Sequence, residues 1–167
     1  IQQLKQENVT ADETQQIDRI LQQLLTHRPL QYVLNEAWFY GLKFEVNESV
    51  LIPRPETEEL VDWIVKEVGS GKKSTKYEVG STASLLTTHN SPLTILDIGT
   101  GSGCIPIALK KNLPETEVSA IDVCSEALHT ATTNALNNET EINFQLLDFF
   151  DERKWNELSK YDIIVSN

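Results

Sequence analysis

LDIGTGSGCIPIAL, residues 96–109, is the stretch on which the fold turns. An apolar run carrying Asp97 near its end leads straight into Gly99, Gly101 and Gly103, which alternate with Thr100 and Ser102. Glycine reaches torsions closed to other residues and lets a ligand approach the main chain. The turn therefore suits a dinucleotide phosphate, a nucleoside bearing a sulfonium, or a tight bend that holds nothing.

The sequence on either side makes this stretch part of a repeating pattern. LTILDI reads as a buried strand, followed by a helix to about Asn112 in which Pro106 is tolerable near the start. EVSAIDV (strand), SEALHTATTNALNN (helix), INFQLL (strand), a short loop or helix over 148–160 and YDIIVS (strand) complete it. Alternating strands and helices imply an α/β fold with a parallel sheet and right-handed crossovers.

Upstream, Ile17, Ile20, Leu21, Leu24 and Leu25 recur at helical spacing, giving a helix over 11–26 with Asp12 or Thr14 as cap. HRPLQYVL is a break. AWFYGLKFEVNESVLIP, residues 37–53, reads as a β-hairpin plus a third extended piece. A helix over 56–68 follows, with acidic residues at its positive end. Residues 69–92, rich in Ser, Thr, Gly and Lys, read as a linker between a unit over 1–68 and one over 93–167. GKKST within it is no phosphate loop: Lys66 stands where the first glycine belongs, and Lys73 replaces the hydroxyl residue.

In a doubly wound sheet, ligands bind beyond the carboxyl ends of the strands. The dinucleotide fingerprint is G-x-G-x-x-G/A, whereas Gly99, Gly101 and Gly103 form G-x-G-x-G, and Pro106 removes a donor from the helix start. This spacing suits a ligand with little phosphate to cradle. Asp122, ending the next strand, can accept both hydroxyls of a ribose, or is a solvated loop acid. Asp148 and Phe149, ending the third strand, can hold an adenine by its amino group and by stacking, or belong to a loop capped by core aromatics.

Composition narrows the classes. The apolar fraction of 40% supports a core, and the net charge of −11 argues against a nucleic-acid partner. No apolar run is long enough to span a bilayer. Cys104 and Cys124 lack the spacing of a metal knuckle or redox pair, so the expectation is a cytoplasmic chain with reduced thiols and no metal. The sequence contains no methionine and stops inside a strand, which leads us to expect an incomplete polypeptide or methionines left out of the sequence.

Taken together, these features resemble the S-adenosylmethionine-dependent methyltransferases of the Rossmann type. More narrowly, the chain is similar to the HemK/PrmC family, which methylates the glutamine side chain of the GGQ motif in peptide chain release factors. Two passages carry the likeness: RPLQYVLNEAWFYGLKFEVNESVLIPRPETEELV (28–61), and ILDIGTGSGCIPIAL with AIDVCSEAL and YDIIVSN behind it. VLIPRPETE is the specific part, since many methyltransferases share the glycine motif. The family signature is Asn-Pro-Pro-Tyr, of which Asn167 supplies the first residue. Asn35 departs from the pattern, standing where members often have glycine.

The resemblance implies a partial methyltransferase sheet of four strands, truncated on its C-terminal side, behind a helical and hairpin unit that recognises substrate. It implies S-adenosyl-L-methionine held by Gly99, Thr100, Gly101, Ser102, Gly103, Asp122, Asp148 and Phe149. Asn167 is the implied catalytic and substrate-binding residue, and the partner is a release factor met by a monomer. Competing expectations are methylation of an adenine amino group in nucleic acid, an NAD-dependent oxidoreductase, and a cofactor-binding scaffold without turnover.

Overall fold

The computed structural model describes residues 10–69 and 92–167. Most of the expected linker, including GKKST, lies outside them.

Helix α1 (Ala11–Leu25) starts two residues earlier than the nearer expected cap, Asp12, allows. Thr10 is the cap, in a reciprocal box with Glu13, so neither Asp12 nor Thr14 fills that role. The chain does break at His27–Pro29, but Leu30–Leu34 then form a short helix, α2, where the sequence suggested none. Pro29 excludes helix only from the residue before it, and it opens α2 without strain. Asn35 ends α2 in the left-handed region (φ 54°). Asparagine tolerates that conformation, which is also the one a glycine at this position would favour.

Strands β1 (Glu36–Phe39) and β2 (Leu42–Glu45) pair antiparallel. Tyr40 and Gly41 close the hairpin, both at positive φ as a primed two-residue turn requires. The third extended piece forms no strand: Val50 N–H donates to Asn47 O in a turn, and residues 51–54 run irregularly into α3 (Pro55–Gly69).

The second half alternates as its periodicity predicts: β3 (Thr94–Ile98), α4 (Cys104–Asn112), β4 (Glu117–Asp122), α5 (Ser125–Asn137), β5 (Asn143–Leu146), a 3₁₀ helix (Glu152–Glu157) and β6 (Ile163–Val165). The sheet is parallel, in the order β5-β4-β3-β6. This is the 3-2-1-4 order of a Rossmann half, with β3 central and buried.

One core joins the hairpin to the sheet. Phe39 and Phe44 pack edge to face and share a cluster with Val61 and Ile64 of α3, Ile95 of β3, and Ile107 and Leu109 of α4. Asn134, fully buried on α5, fixes the register of this union. Its Oδ1 accepts from Glu45 N–H, and its Nδ2 donates to Glu45 O and to Ser102 O. One carboxamide thus ties β2, α5 and the glycine turn together. Nearby, Asn138 Nδ2 donates to Lys43 O from a more exposed position.

Replacing Asn134 by Ala strands a buried N–H and two carbonyls. Each unsatisfied group costs about 1–3 kcal/mol, so urea denaturation should show a loss on the order of 3 kcal/mol. Asn138→Ala, near solvent, should lose less than about 1 kcal/mol.

Candidate active site

All the residues singled out in the sequence stand along one edge of the sheet. The glycine turn follows β3, Asp122 ends β4, Asp148 follows β5 and Asn167 follows β6. With neighbouring strands about 4.8 Å apart, the row from Asp148 to Asn167 spans about 14 Å. Hydrogen bonds lock these strand ends together. Leu147 N–H donates to Asp122 O, and Ser166 Oγ donates to Ile98 O, next to Gly99.

The three glycines differ in role. All have positive φ, but a Cβ on Gly99 or Gly101 would meet open space. On Gly103 it would lie 3.1 Å from Ala131 Cβ and 3.3 Å from the Ala131 backbone. Gly103 therefore serves the close approach of α4 to α5, while Gly99 and Gly101 leave the ligand side bare.

The turn is poor in free donors. Gly99 and Thr100 N–H donate to Ile121 O, Gly103 N–H to Thr100 O, and Gly101 N–H to Asp122 Oδ2 at 2.8 Å. A pyrophosphate cradle needs such groups aimed outward. Here four of them are spent inside the protein, and Pro106 in the first turn of α4 has none to give. The geometry thus supports the distinction drawn from G-x-G-x-G.

Asp122 is an acceptor with capacity to spare. Its oxygens take Gly101 N–H and Cys124 N–H, two of about four lone-pair positions, which leaves acceptors for a vicinal diol. Asp148 Oδ1 accepts from Phe150 N–H in a local turn. Phe149 packs beside Leu96, Ile121 and Leu147, and stacks on Trp155 at 5.5 Å between centroids. Trp155 Nε1 donates to Phe149 O. The stack gives Phe149 a fixed plane, and Trp155 carries no periodic signal that would reveal it in the sequence.

Two groups of the site were not expected. Asp97 is almost wholly buried, and neither of its oxygens nor Thr100 Oγ1 has a hydrogen-bond partner. Burial pushes the Asp97 carboxyl up to about 7, and the charge of Asp122 adds to this. The Thr100 hydroxyl lies near enough to lower it in part, but not in sound hydrogen-bonding geometry. A buried acid without partners beneath an open turn fits a ligand that brings a cation, such as an ammonium. The signal was present, as an acid inside the apolar run TILDI. The second group is Thr57, on the first turn of α3. Its Oγ1 accepts from Asn167 Nδ2 at 2.6 Å, across 110 residues of sequence. No local pattern announces such a pair.

Both thiols are free. Burial holds the Cys104 thiol up at about 12, so it is no nucleophile. Two open depressions lie on the seam between the hairpin and α5, lined in part by Lys43 and Asn138 and by Asn47 and His129. The orphaned polar atoms found among the described residues lie instead at the glycine turn.

Because its folded value is raised, Asp97 contributes stability that is fully present below its unfolded value of 3.8 and is lost as pH rises through about 7. Denaturation at pH 5 and pH 8 should show Asp97→Asn losing less stability over that interval than the parent. Equal losses would mean that Asp97 ionises freely in the folded chain.

The family model described as "Methyltransferase small domain" matches residues 74–167. A release factor glutamine methyltransferase of Flavobacterium psychrophilum is 47% identical over 91% of this chain and 47% of its own length. One from Streptococcus pneumoniae is 44% identical over 98% of this chain and 50% of its own length. The chain therefore spans about half the length of these curated relatives. Among solved structures, an S-adenosylmethionine-dependent methyltransferase from Agrobacterium tumefaciens shares the fold, with a TM-score of 0.53 at 19% identity over 78% of this chain and 38% of that one. The Rossmann-type sheet, the bare glycine turn and the matched family model make the chain a member of the methyltransferase small domain family.

Proposed function

We propose that the chain carries the methyl-transfer site of a release factor glutamine methyltransferase. The observation that carries this reading is the place of Asn167: at the carboxyl end of β6, beside the strand that leads into the bare, donor-poor turn. The names of the relatives above support the same substrate.

S-adenosyl-L-methionine supplies a methyl group made electrophilic by sulfonium. In this reading Asp122 accepts the ribose hydroxyls, and Gly99, Thr100, Gly101, Ser102 and Gly103 form the wall along the ligand. Asp148 and Phe149 face the adenine, and Asp97 takes the ammonium. Asn167 holds the substrate. A glutamine amide nitrogen is a poor nucleophile because its lone pair is shared with the carbonyl. Asn167 Oδ1, accepting one of the amide hydrogens, aims that nitrogen and favours positive charge on it as the new N–C bond forms. As that bond forms, the sulfonium S–C bond would break with its electron pair left on a neutral thioether sulfur, and the extra amide proton would then pass to solvent water, so no strong base is required beforehand. Alignment of this kind is worth up to about 7–11 kcal/mol of barrier.

The recognition unit is residues 1–68, and the protein works as a monomer in the cytoplasm, where release factors act. No helix among the described residues is long and apolar enough to cross a membrane. Methylation of adenine in nucleic acid uses similar donor geometry, but the charge of −11 disfavours a phosphate-backbone partner.

The full chain, given S-adenosylmethionine, should methylate a release-factor peptide and leave an oligonucleotide untouched; the reverse result would establish the nucleic-acid reading. Asn167→Ala should lower kcat by roughly two orders of magnitude or more, with cofactor affinity changed less than about twofold. Asp122→Ala should do the opposite, weakening cofactor binding first.

A further inference from the structure

A carboxamide is two-faced. Rotated half a turn, it presents a donor where it had an acceptor. Asn167 can receive an amide N–H only if its oxygen faces the substrate, so something must hold the other end. The structure supplies that group from a distant element. Thr57 is 6% exposed, so little water competes for its Oγ1, and Asn167 Nδ2 donates to it at 2.6 Å. With one of its two N–H groups on Thr57, the carboxamide is held in one of its two orientations, with Oδ1 on the side away from that bond.

The support behind Thr57 is rigid on both sides. The next residue, Glu58, accepts Tyr40 N–H at 2.8 Å, which anchors the first turn of α3 to the hairpin. On the strand side, Ser166 Oγ donates to Ile98 O at 2.9 Å, which fixes the backbone leading into Asn167. The hydroxyl and the carboxamide are thus held from opposite directions by elements that share one core.

We propose that Thr57 is a positioning residue for methyl transfer: its hydroxyl oxygen holds Asn167 Nδ2, so that Asn167 Oδ1 is presented to the amide of the substrate. This deepens the reading of Asn167 given above and rests on it. It also assigns a task to the PETE segment beyond starting a helix: the segment sets which face of the carboxamide is offered.

Thr57→Val keeps the shape and removes the acceptor, whereas Thr57→Ser keeps the acceptor. In the full chain, Thr57→Val should lower kcat for a release-factor peptide roughly ten- to a hundred-fold. The Kd of S-adenosylhomocysteine should change less than about twofold, and Thr57→Ser should recover most of the turnover. Valine turning over like the parent overturns the proposal, as does serine failing together with valine. A second readout needs no activity. The side-chain NH₂ signals of Asn167 in a ¹⁵N spectrum should exchange slowly with solvent in the parent and in Thr57→Ser, and should shift and exchange faster in Thr57→Val. Fast exchange in the parent overturns the proposal even if valine fails to fold. A parent that methylates no release-factor peptide yet shows the protected NH₂ signals refutes the substrate reading while supporting the Thr57 contact.

Discussion

The fold depends on one buried carboxamide. Asn134 has no access to water, so each of its polar atoms must find a partner within the protein. It finds them in two places that the sequence sets far apart: both backbone groups of Glu45 on the hairpin, and the carbonyl of Ser102 in the glycine turn. A slip of the hairpin by one residue would break two of these bonds and bring the solvent face of β2 inward. The N-terminal segment is therefore built into the wall of the turn, and the ligand side of the sheet inherits its shape from that contact.

With the turn fixed from behind, its front is defined by what is withheld. Most of its N–H groups are consumed internally, and two of its glycines open onto empty space. Such a surface offers room and carbonyl oxygens but little positive potential. Below it lies Asp97, whose carboxyl burial pushes up to about 7, so that ionising it in place carries a cost. An incoming cation changes that balance, because pairing with it offsets the cost of ionising the acid. In the proposed reading, charge would be recognised at the base of the turn and the sugar hydroxyls at Asp122.

The legible part of this design was whatever repeats or sits beside its own ligand. The strand–helix alternation, the G-x-G-x-G spacing and the acid at the end of β4 are local, and the order β5-β4-β3-β6 is the usual one for a Rossmann half. What could not be read were bonds between distant residues. The Thr10 cap depends on a single exchange with Glu13, and the five-residue α2 is too short for periodicity to register. Asn134 looked like one polar residue among several on a helix, and Thr57 like one member of an acidic first turn. Asp97 was visible but ambiguous. An acid in an apolar strand is informative only once its lack of a partner is known.

Charge draws these threads together. The chain carries 25 acidic residues against 14 basic ones, and the edge that faces the ligand adds Asp97, Asp122 and Asp148 with no lysine or arginine among the residues singled out there. A dinucleotide would bring its pyrophosphate to this edge against both the local and the overall field, without the outward N–H groups that normally offset that cost. A nucleoside carrying an ammonium and a sulfonium meets the opposite situation. In the proposed reading its hydroxyls would meet an acid with lone pairs to spare, its ammonium a buried carboxyl without a partner, and its net positive charge a field of the opposite sign. Loss of the sulfonium charge on methyl transfer would weaken that attraction, so in the proposed reading the same electrostatics that favour the reactant would also favour release of the product.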